Sequence, residues 1–599
     1  MASLRKLNSY FKNYKGTIVL GSLFLMASNF FLVWIPVFLR KTVDQVSELT
    51  TGDSSSFDST FNLLFHSSAS WPLAKNALLL VGAALLSGLL LFATRQTLIV
   101  ASRKIEFDLR NDIFDKLLEL PQRYFDSYES GEIYVRATED VSKVREYFGP
   151  AYMYTINTLT RAGFIITMMV IVSPELTLWA LLPLPFLSVF AYWISGYINN
   201  YSRIIQEQYS TVAGRANESF SSIRLIKAFN REEYEQRRFD EESERYKNKK
   251  LRLGMVESIF HPTLNFLIGL SIVIVVWKAG QLVIEGTLTV GNIMEFIVYV
   301  AYLTWPVASL GFTVNRFQRS MASWERIDTL LTENINITDQ SNTDQEIDLI
   351  HGTIEFNNVS FKYPGSEEYA LHNLNLTIEE GENAAIVGRT GSGKTTLVEL
   401  IPRMYEVEEG EILIDGTNIK DIPLKILRES IGFVPQETFL FSETIGENIA
   451  FGTTQANKKD VEEAAEKAQV RDNILDFDKQ FDTVLGERGV TLSGGQKQRT
   501  AIARTLIRSP KIIILDDSLS AVDTKTEESI LQHLRKELRR RTTIMISHRI
   551  STIKDADIIY YLEDGKIIEE GTHQELLNTK GRYSVMYNKQ LIEEELAEI

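Results

Sequence analysis

Over the first 320 residues, six stretches nearly free of charge alternate with basic, polar ones. Thr17–Leu39, Asn76–Thr94, Leu176–Ser202 and Phe296–Asn315 carry no charged residue; Pro150–Pro174 carries only Arg161, and Ser258–Trp277 only a histidine, His261. A helix needs about 20 apolar residues to cross a bilayer, so six spans are expected, over 17–39, 76–98, 150–174, 176–202, 256–283 and 290–315 of a domain covering 16–320. Any one stretch is compatible with a buried helix of a soluble protein. Six in succession predict an integral membrane protein.

The stretches between the spans set orientation. Residues 99–149 contain eight Lys and Arg and residues 200–254 contain twelve, whereas Glu48–Lys75 contains one. Basic loops stay inside, so the two long basic segments and both termini are expected to be cytoplasmic. Ile105, Leu109, Ile113, Leu117 and Leu120 recur at helical spacing among charges, which predicts that the spanning helices continue into the cytoplasm as hairpins. Turn-like breaks mark their tips, at Tyr124–Gly131 and Ala228–Glu232. Ahead of the first span, in residues 1–15, Leu4, Leu7, Phe11 and Tyr14 share one face beside Arg5, Lys6, Lys12 and Lys15. That is the pattern of a short helix lying against membrane lipids.

Beyond residue 320 the rhythm changes. Residues 321–350 are polar and rich in Asn, Asp and Gln, as a linker is. From 351 to 590 short apolar strands alternate with helices, a parallel α/β pattern, and 591–599 form a tail. The run Asn383–Val387 is a predicted strand followed by Gly388, Arg389, Thr390, Gly391, Ser392, Gly393, Lys394, Thr395 and Thr396. This is G-x-x-x-x-G-K-[ST] between a strand and a helix, the context in which the motif binds a nucleoside triphosphate. Glycines let backbone N–H groups approach the phosphates, Lys394 reaches the outer oxygens, and Thr395 offers a ligand to Mg²⁺. A mere glycine-rich turn does not explain that context.

A second apolar strand, Ile512–Leu515, ends in Asp516 and Asp517. A carboxylate at such a strand end holds Mg²⁺ beside a nucleotide. With Leu492, Ser493, Gly494, Gly495 and Gln496 just upstream, the chain resembles the ATP-binding cassette (ABC) superfamily, whose signature this is. Other elements resemble that family in order: Tyr363, the aromatic that stacks on adenine; Gln436, which contacts Mg²⁺ and water; Asp523 in Ser520–Asp523, the D-loop; His548, the switch histidine; and Thr483–Gly489, the exporter segment that meets the transmembrane helices.

The resemblance covers nearly the whole chain and implies an exporter half: an all-α domain of six transmembrane helices with long cytoplasmic extensions, followed by a soluble α/β P-loop NTPase. It further implies that two such halves pair, sandwiching ATP and Mg²⁺ so that Ser493 of one chain serves the nucleotide held by the other. It implies catalytic roles for Gln436, His548 and the residue after Asp516. That residue is the departure. The family pattern places a glutamate there, and Asp517 is one methylene shorter. Positioning dominates phosphoryl transfer, so the expected partner is a different half-transporter bearing the glutamate, as in heterodimeric multidrug exporters with one degenerate site. A homodimer, or an ATP-gated regulator or channel with little hydrolysis, are the alternatives.

Composition narrows the rest. A net charge of −15 disfavours nucleic acid, and the absence of cysteine excludes disulfides and thiolate metal sites. Arg161 and Lys278 lie within or at the edge of spans, where charges face a bundle interior or cavity. They are the candidate contacts for a small amphipathic substrate, a drug or a lipid.

Overall fold

The computed structural model describes residues 2–51, 70–486, 492–518, 538 and 541–597. The chain divides into two units, Met1–Leu118 with Gly131–Glu333, and Glu119–Ser130 with Asn334–Ile599. The boundary thus falls after Glu333 rather than at 320, because the helix Val290–Leu331 runs unbroken through the start of the expected linker. The tip of the first hairpin groups with the cassette, not with the helices that carry it.

The first unit is entirely helical among its described residues. Helix Ala2–Asn13 buries Leu7 completely, and Phe11 packs its ring against Phe148 and Tyr152. Long helices follow: Lys15–Thr51, Ser70–Thr94 and, after a π-helical turn at Arg95–Ile99, Val100–Glu119. The return limb, from Ser130 to Val172, contains two more π turns, Arg136–Asp140 and Tyr147–Ala151. Among the described residues four helices are long and apolar enough to cross a membrane: Lys15–Glu48, Trp71–Glu119, Ser130–Val172 and Asn265–Ile284; Val290–Thr304 is a shorter apolar helix. Large apolar side chains along Ser70–Thr94, such as Leu78 and Leu89, stay exposed, as a lipid-facing surface requires.

The expected single helix over 176–202 is broken. Pro174–Leu181 ends, two residues turn, and Leu184–Ser221 begins with Pro183 as its N-cap. Proline lacks an N–H and clashes with the preceding turn, so it starts helices and interrupts them. The core of this unit gathers Val33, Ile165, Met169, Val275, Phe296 and Tyr299 from four helices. Two ion pairs tie helices of this unit together: Arg40 to Glu295 at 3.0 Å beside that core, and Arg326 to Asp140 at 2.5 Å farther along the helix Val290–Leu331, both carboxylates fully buried.

The second unit has two sheets. Strands β1 (Ile354–Phe361), β2 (Leu371–Ile378), β4 (Glu409–Ile414) and β5 (Thr417–Asn418) form an antiparallel sheet in the order β2-β1-β4-β5. The other strands are β3 (Asn383–Gly388), β6 (Ile431–Val434), β7 (Ile512–Asp516), β8 (Thr542–Ile546), β9 (Ile558–Glu563) and β10 (Lys566–Gly571), in the order β10-β9-β3-β8-β7-β6. All pairings in that sheet are parallel except β9 with β10. The central strands β7 and β8 are buried at every position, which is why they read as continuous Ile/Leu/Met/Thr runs rather than alternating ones. A helical layer, built from Ile445–Ala450, Lys458–Lys467, Arg471–Leu475 and Gly494–Leu506, packs on this sheet: Ile449, Ala465 and Ile502 share one core with Val434, Ile513, Leu515 and Met545 of β6, β7 and β8.

Candidate nucleotide site

The order of the six-stranded sheet assembles the site. Parallel strands end on the same edge, and register fixes what lies there. Ile386 pairs with Ile546, Asp516 with Ile546, and Val434 with Leu515. The phosphate loop after β3, His548 after β8, Asp516 and Asp517 at β7, and Gln436 after β6 therefore come to one carboxyl edge. Ligands bind at that edge in open α/β sheets.

At two of its glycines the loop leaves no room for a side chain. A Cβ at Gly388 would lie 2.1 Å from the Leu562 carbonyl oxygen, and one at Gly393 would lie 2.5 Å from that of Ala370. Both have left-handed φ values, +151° and +99°. The Lys394 ammonium donates to the carbonyls of Gly388 and Arg389 at 3.0 and 2.8 Å. Burial pushes its pKa down, while the charges of Asp516 and Asp517 pull the other way.

Asp516 is 2% exposed, and one of its oxygens, Oδ2, is buried without a hydrogen-bond partner. Burial raises its pKa, against a hydrogen bond from Thr395 and the charge of Lys394. Ser392 Oγ is likewise buried and unpartnered. An orphaned carboxylate oxygen beside a threonine hydroxyl fits Mg²⁺, which takes one or two protein ligands and completes its shell with phosphate and water. Asp516 and Thr395 would hold the ion, whose chemistry is to neutralise charge on the phosphate oxygens.

Asp517 has a left-handed backbone, φ +44°, and its N–H donates to Ile546 O at 2.9 Å. Aspartate tolerates that conformation better than most residues. Gln436 is exposed. The His548 carbonyl accepts a hydrogen bond from the Gln590 side chain, which ties the end of β8 to helix Arg582–Ala597. Tyr363 stands edge-on to Phe361 and Tyr405, with its hydroxyl 2.9 Å from Thr396 Oγ1 and 3.3 Å from Glu399. Burial, ahead of the Glu399 charge, pushes its pKa up to about 12. The ring implied as an adenine contact is thus joined to the first turn after the phosphate loop.

Ser493 caps helix Gly494–Leu506 in a reciprocal box: its Oγ accepts from the Gln496 N–H, and its own N–H donates to Gln496 Oε1. Leu492 is buried in the helical layer while Ser493 and Gly494 are exposed, so the helix presents its N-terminal end to solvent. Asp523, with the rest of Ser520–Asp523, lies outside the described residues, as do Glu487–Gly489 of the segment beginning at Thr483.

Two groups escaped the sequence reading. Arg504, on the signature helix, donates to the backbone oxygens of Asn448 and Phe439 at 2.8 and 2.9 Å and lies over the rings of Phe441 and Phe451. It ties the segment after Gln436 to the signature helix, and no local spacing announces partners so far along the chain. Glu399, its pKa raised mainly by burial, joins Tyr363 to the phosphate-loop helix.

In the helical unit the two candidate substrate residues are not brought together. Lys278 is paired with Glu175 at 2.7 Å. Arg161 lies over the ring of Tyr302, 5.1 Å from its centroid, and its Nε is buried without a partner.

Residues 18–307 match the family described as ABC transporter transmembrane region, and residues 371–520 the ABC transporter family. A probable multidrug resistance ABC transporter ATP-binding/permease protein of Bacillus subtilis, YheI, is 36% identical over 80% of this chain and 82% of its own length. An ATP-dependent lipid A-core flippase of Aromatoleum aromaticum is 36% identical over 81% of this chain and 80% of its own. The structure of a bacterial Atm1-family ABC exporter with ATP bound superposes with a TM-score of 0.75 at 26% identity, covering 98% of this chain and 99% of that one. This chain is an ABC half-transporter, a transmembrane domain fused to an ATPase cassette; it belongs to the ABC transporter family and is homologous to multidrug and Atm1-family exporters.

Proposed function

We propose that the chain is the degenerate-site half of a heterodimeric exporter that moves amphipathic or hydrophobic compounds, drugs or lipids, out across the cytoplasmic membrane. The carrying observation is the sheet edge. It gathers the phosphate loop, Asp516 and the strand end leading to His548, and sets an aspartate where the water-polarising glutamate would stand. The export reading is supported by relatives named as a multidrug resistance transporter and a lipid A-core flippase.

In this reading both termini and the two basic hairpins are cytoplasmic. Lys394, Asp516 and Thr395 hold Mg²⁺·ATP in the weak site, and the intact Leu492–Gln496 signature completes the partner's strong one. The partner is a second half-transporter with a glutamate after its β7 aspartate. A homodimer is the second reading, and one observation favours it: the left-handed φ at Asp517 gives aspartate a local conformational reason to be there. Copurification followed by ATPase assay separates the two. Robust turnover by a preparation containing this chain alone excludes the heterodimer.

A further inference from the structure

Arg161 sits mid-way along the 21-residue helix Tyr152–Val172, about 15 Å from either end at 1.5 Å per residue. That is beyond the reach of a snorkelling side chain. Two other charges of this bundle have counter-ions: Arg40 has Glu295, and Lys278 has Glu175. Among the described residues Arg161 has no carboxylate within 4 Å, and its buried Nε has no hydrogen-bond acceptor. Its neighbour is the Tyr302 ring.

The energetics make that arrangement unfinished. A cation over an aromatic face recovers only part of what removing a guanidinium from water costs. A structural arginine would be expected to recover the difference from an acid, and none is supplied. The flanking surface is mixed. Asn157, one turn before Arg161, accepts a 3.0 Å hydrogen bond from the buried Asn29, and one turn after it Phe164 packs against Phe30. A fixed cation, a polar turn and an aromatic wall thus meet where three helices, Lys15–Thr51, Tyr152–Val172 and Val290–Leu331, adjoin.

We propose that Arg161 is the head-group contact of a binding site for amphipathic anions, molecules carrying a carboxylate or phosphate on an apolar body. The guanidinium is a planar fork suited to bidentate contact with either oxyanion. Tyr302 holds the fork in place, and the Phe30–Phe164 wall takes the tail. The inference deepens the export reading and rests on it for the direction in which the ligand moves, but binding itself does not depend on ATP.

The test uses the full chain in phosphatidylcholine nanodiscs without nucleotide, with empty nanodiscs subtracted. Radiolabelled dodecyl phosphate is compared with dodecyl maltoside, which has the same tail but no oxyanion. Wild type should favour dodecyl phosphate by about ten-fold or more. Arg161→Gln should erase the preference, and Arg161→Lys, which keeps the charge but loses the fork, should fall between. Competition by phosphatidylglycerol in the bilayer would identify a membrane lipid as the natural source, and its absence a soluble amphiphile; the site stands in either case. No preference in wild type, or an unchanged preference in Arg161→Gln, overturns the proposal. Should Arg161→Gln not fold, the wild-type comparison and Arg161→Lys still decide. Failure here leaves the export reading intact, since that is judged separately by substrate-stimulated ATP hydrolysis.

Discussion

The Tyr405 hydroxyl donates a 2.6 Å hydrogen bond to Asp126. Tyr405 belongs to the cassette body beside Tyr363, and Asp126 to the tip of the first hairpin, so the bond joins the nucleotide-binding unit to the segment that leads back to the helices. A hydrogen bond to a carboxylate is worth about 1.5–3 kcal/mol. Asp126→Ala should leave basal ATP hydrolysis by the assembled transporter within about two-fold while removing most of its stimulation by substrate. Equal stimulation in the variant and wild type would show that this bond carries no signal.

The second hairpin makes a companion case. Phe229, at the break between Ile223–Ala228 and Glu232–Ile284, is 70% exposed. An exposed aromatic at a turn is the anchor expected of a docking contact. Phe229→Asp should cost transport by about ten-fold or more while nucleotide binding persists, because it would place a charge in the contact this tip is expected to make on docking. Survival of both transport and stimulated hydrolysis would exclude this tip as a transmission element.

The heterodimer reading makes an asymmetric demand on one chain. Ser493→Arg should remove nearly all turnover by the complex, since it obstructs the partner's productive site. Asp517→Asn should cost less than about three-fold, and Lys394→Ala should weaken nucleotide binding at this chain's own site. Near-total loss on Asp517→Asn would identify it as a working catalytic base.

Asp516 gives a pH and metal test. Its folded pKa is raised by burial, so above its unfolded pKa the carboxylate costs the ligand-free cassette stability, and the cost grows until pH passes the folded value. Asp516→Asn should therefore raise the Tm of the nucleotide-free protein at neutral pH while abolishing the further rise produced by Mg²⁺·ATP. In wild type, protons should displace Mg²⁺ at a higher pH than at an ordinary aspartate. Calorimetry at several pH values with and without Mg²⁺ reads both effects.

Arg504 tests the link between signature and glutamine segment. Arg504→Ala removes donors to Asn448 and Phe439 and the contact with two rings, leaving the part-buried Asn448 carbonyl without this donor at about 1–3 kcal/mol. Lower thermal stability and impaired turnover with nucleotide affinity retained are expected. A change confined to affinity would contradict the assignment.

Much of this was legible in one dimension because the relevant signals are local. Uncharged stretches report the solvent a helix must face. The loop from Gly388 to Thr396 names its ligand by glycine spacing, since backbone N–H groups reach phosphate only where no Cβ intervenes. Asp516–Asp517 and Leu492–Gln496 were readable for the same reason. Tertiary structure alone decided what depends on residues far apart in sequence. Strand order put Gln436, Asp516 and His548 on the edge that carries the phosphate loop. Lys278 proved to be paired with Glu175 while Arg161 was left with only a ring, a difference invisible to composition because it turns on which acid the packed helices bring within reach. Pro183 was visible as a letter, but only packing determined that it would divide a span. Periodicity specifies how a segment buries its apolar face; which face it meets, and which charge is left without a counter-ion, is settled when the helices and strands pack.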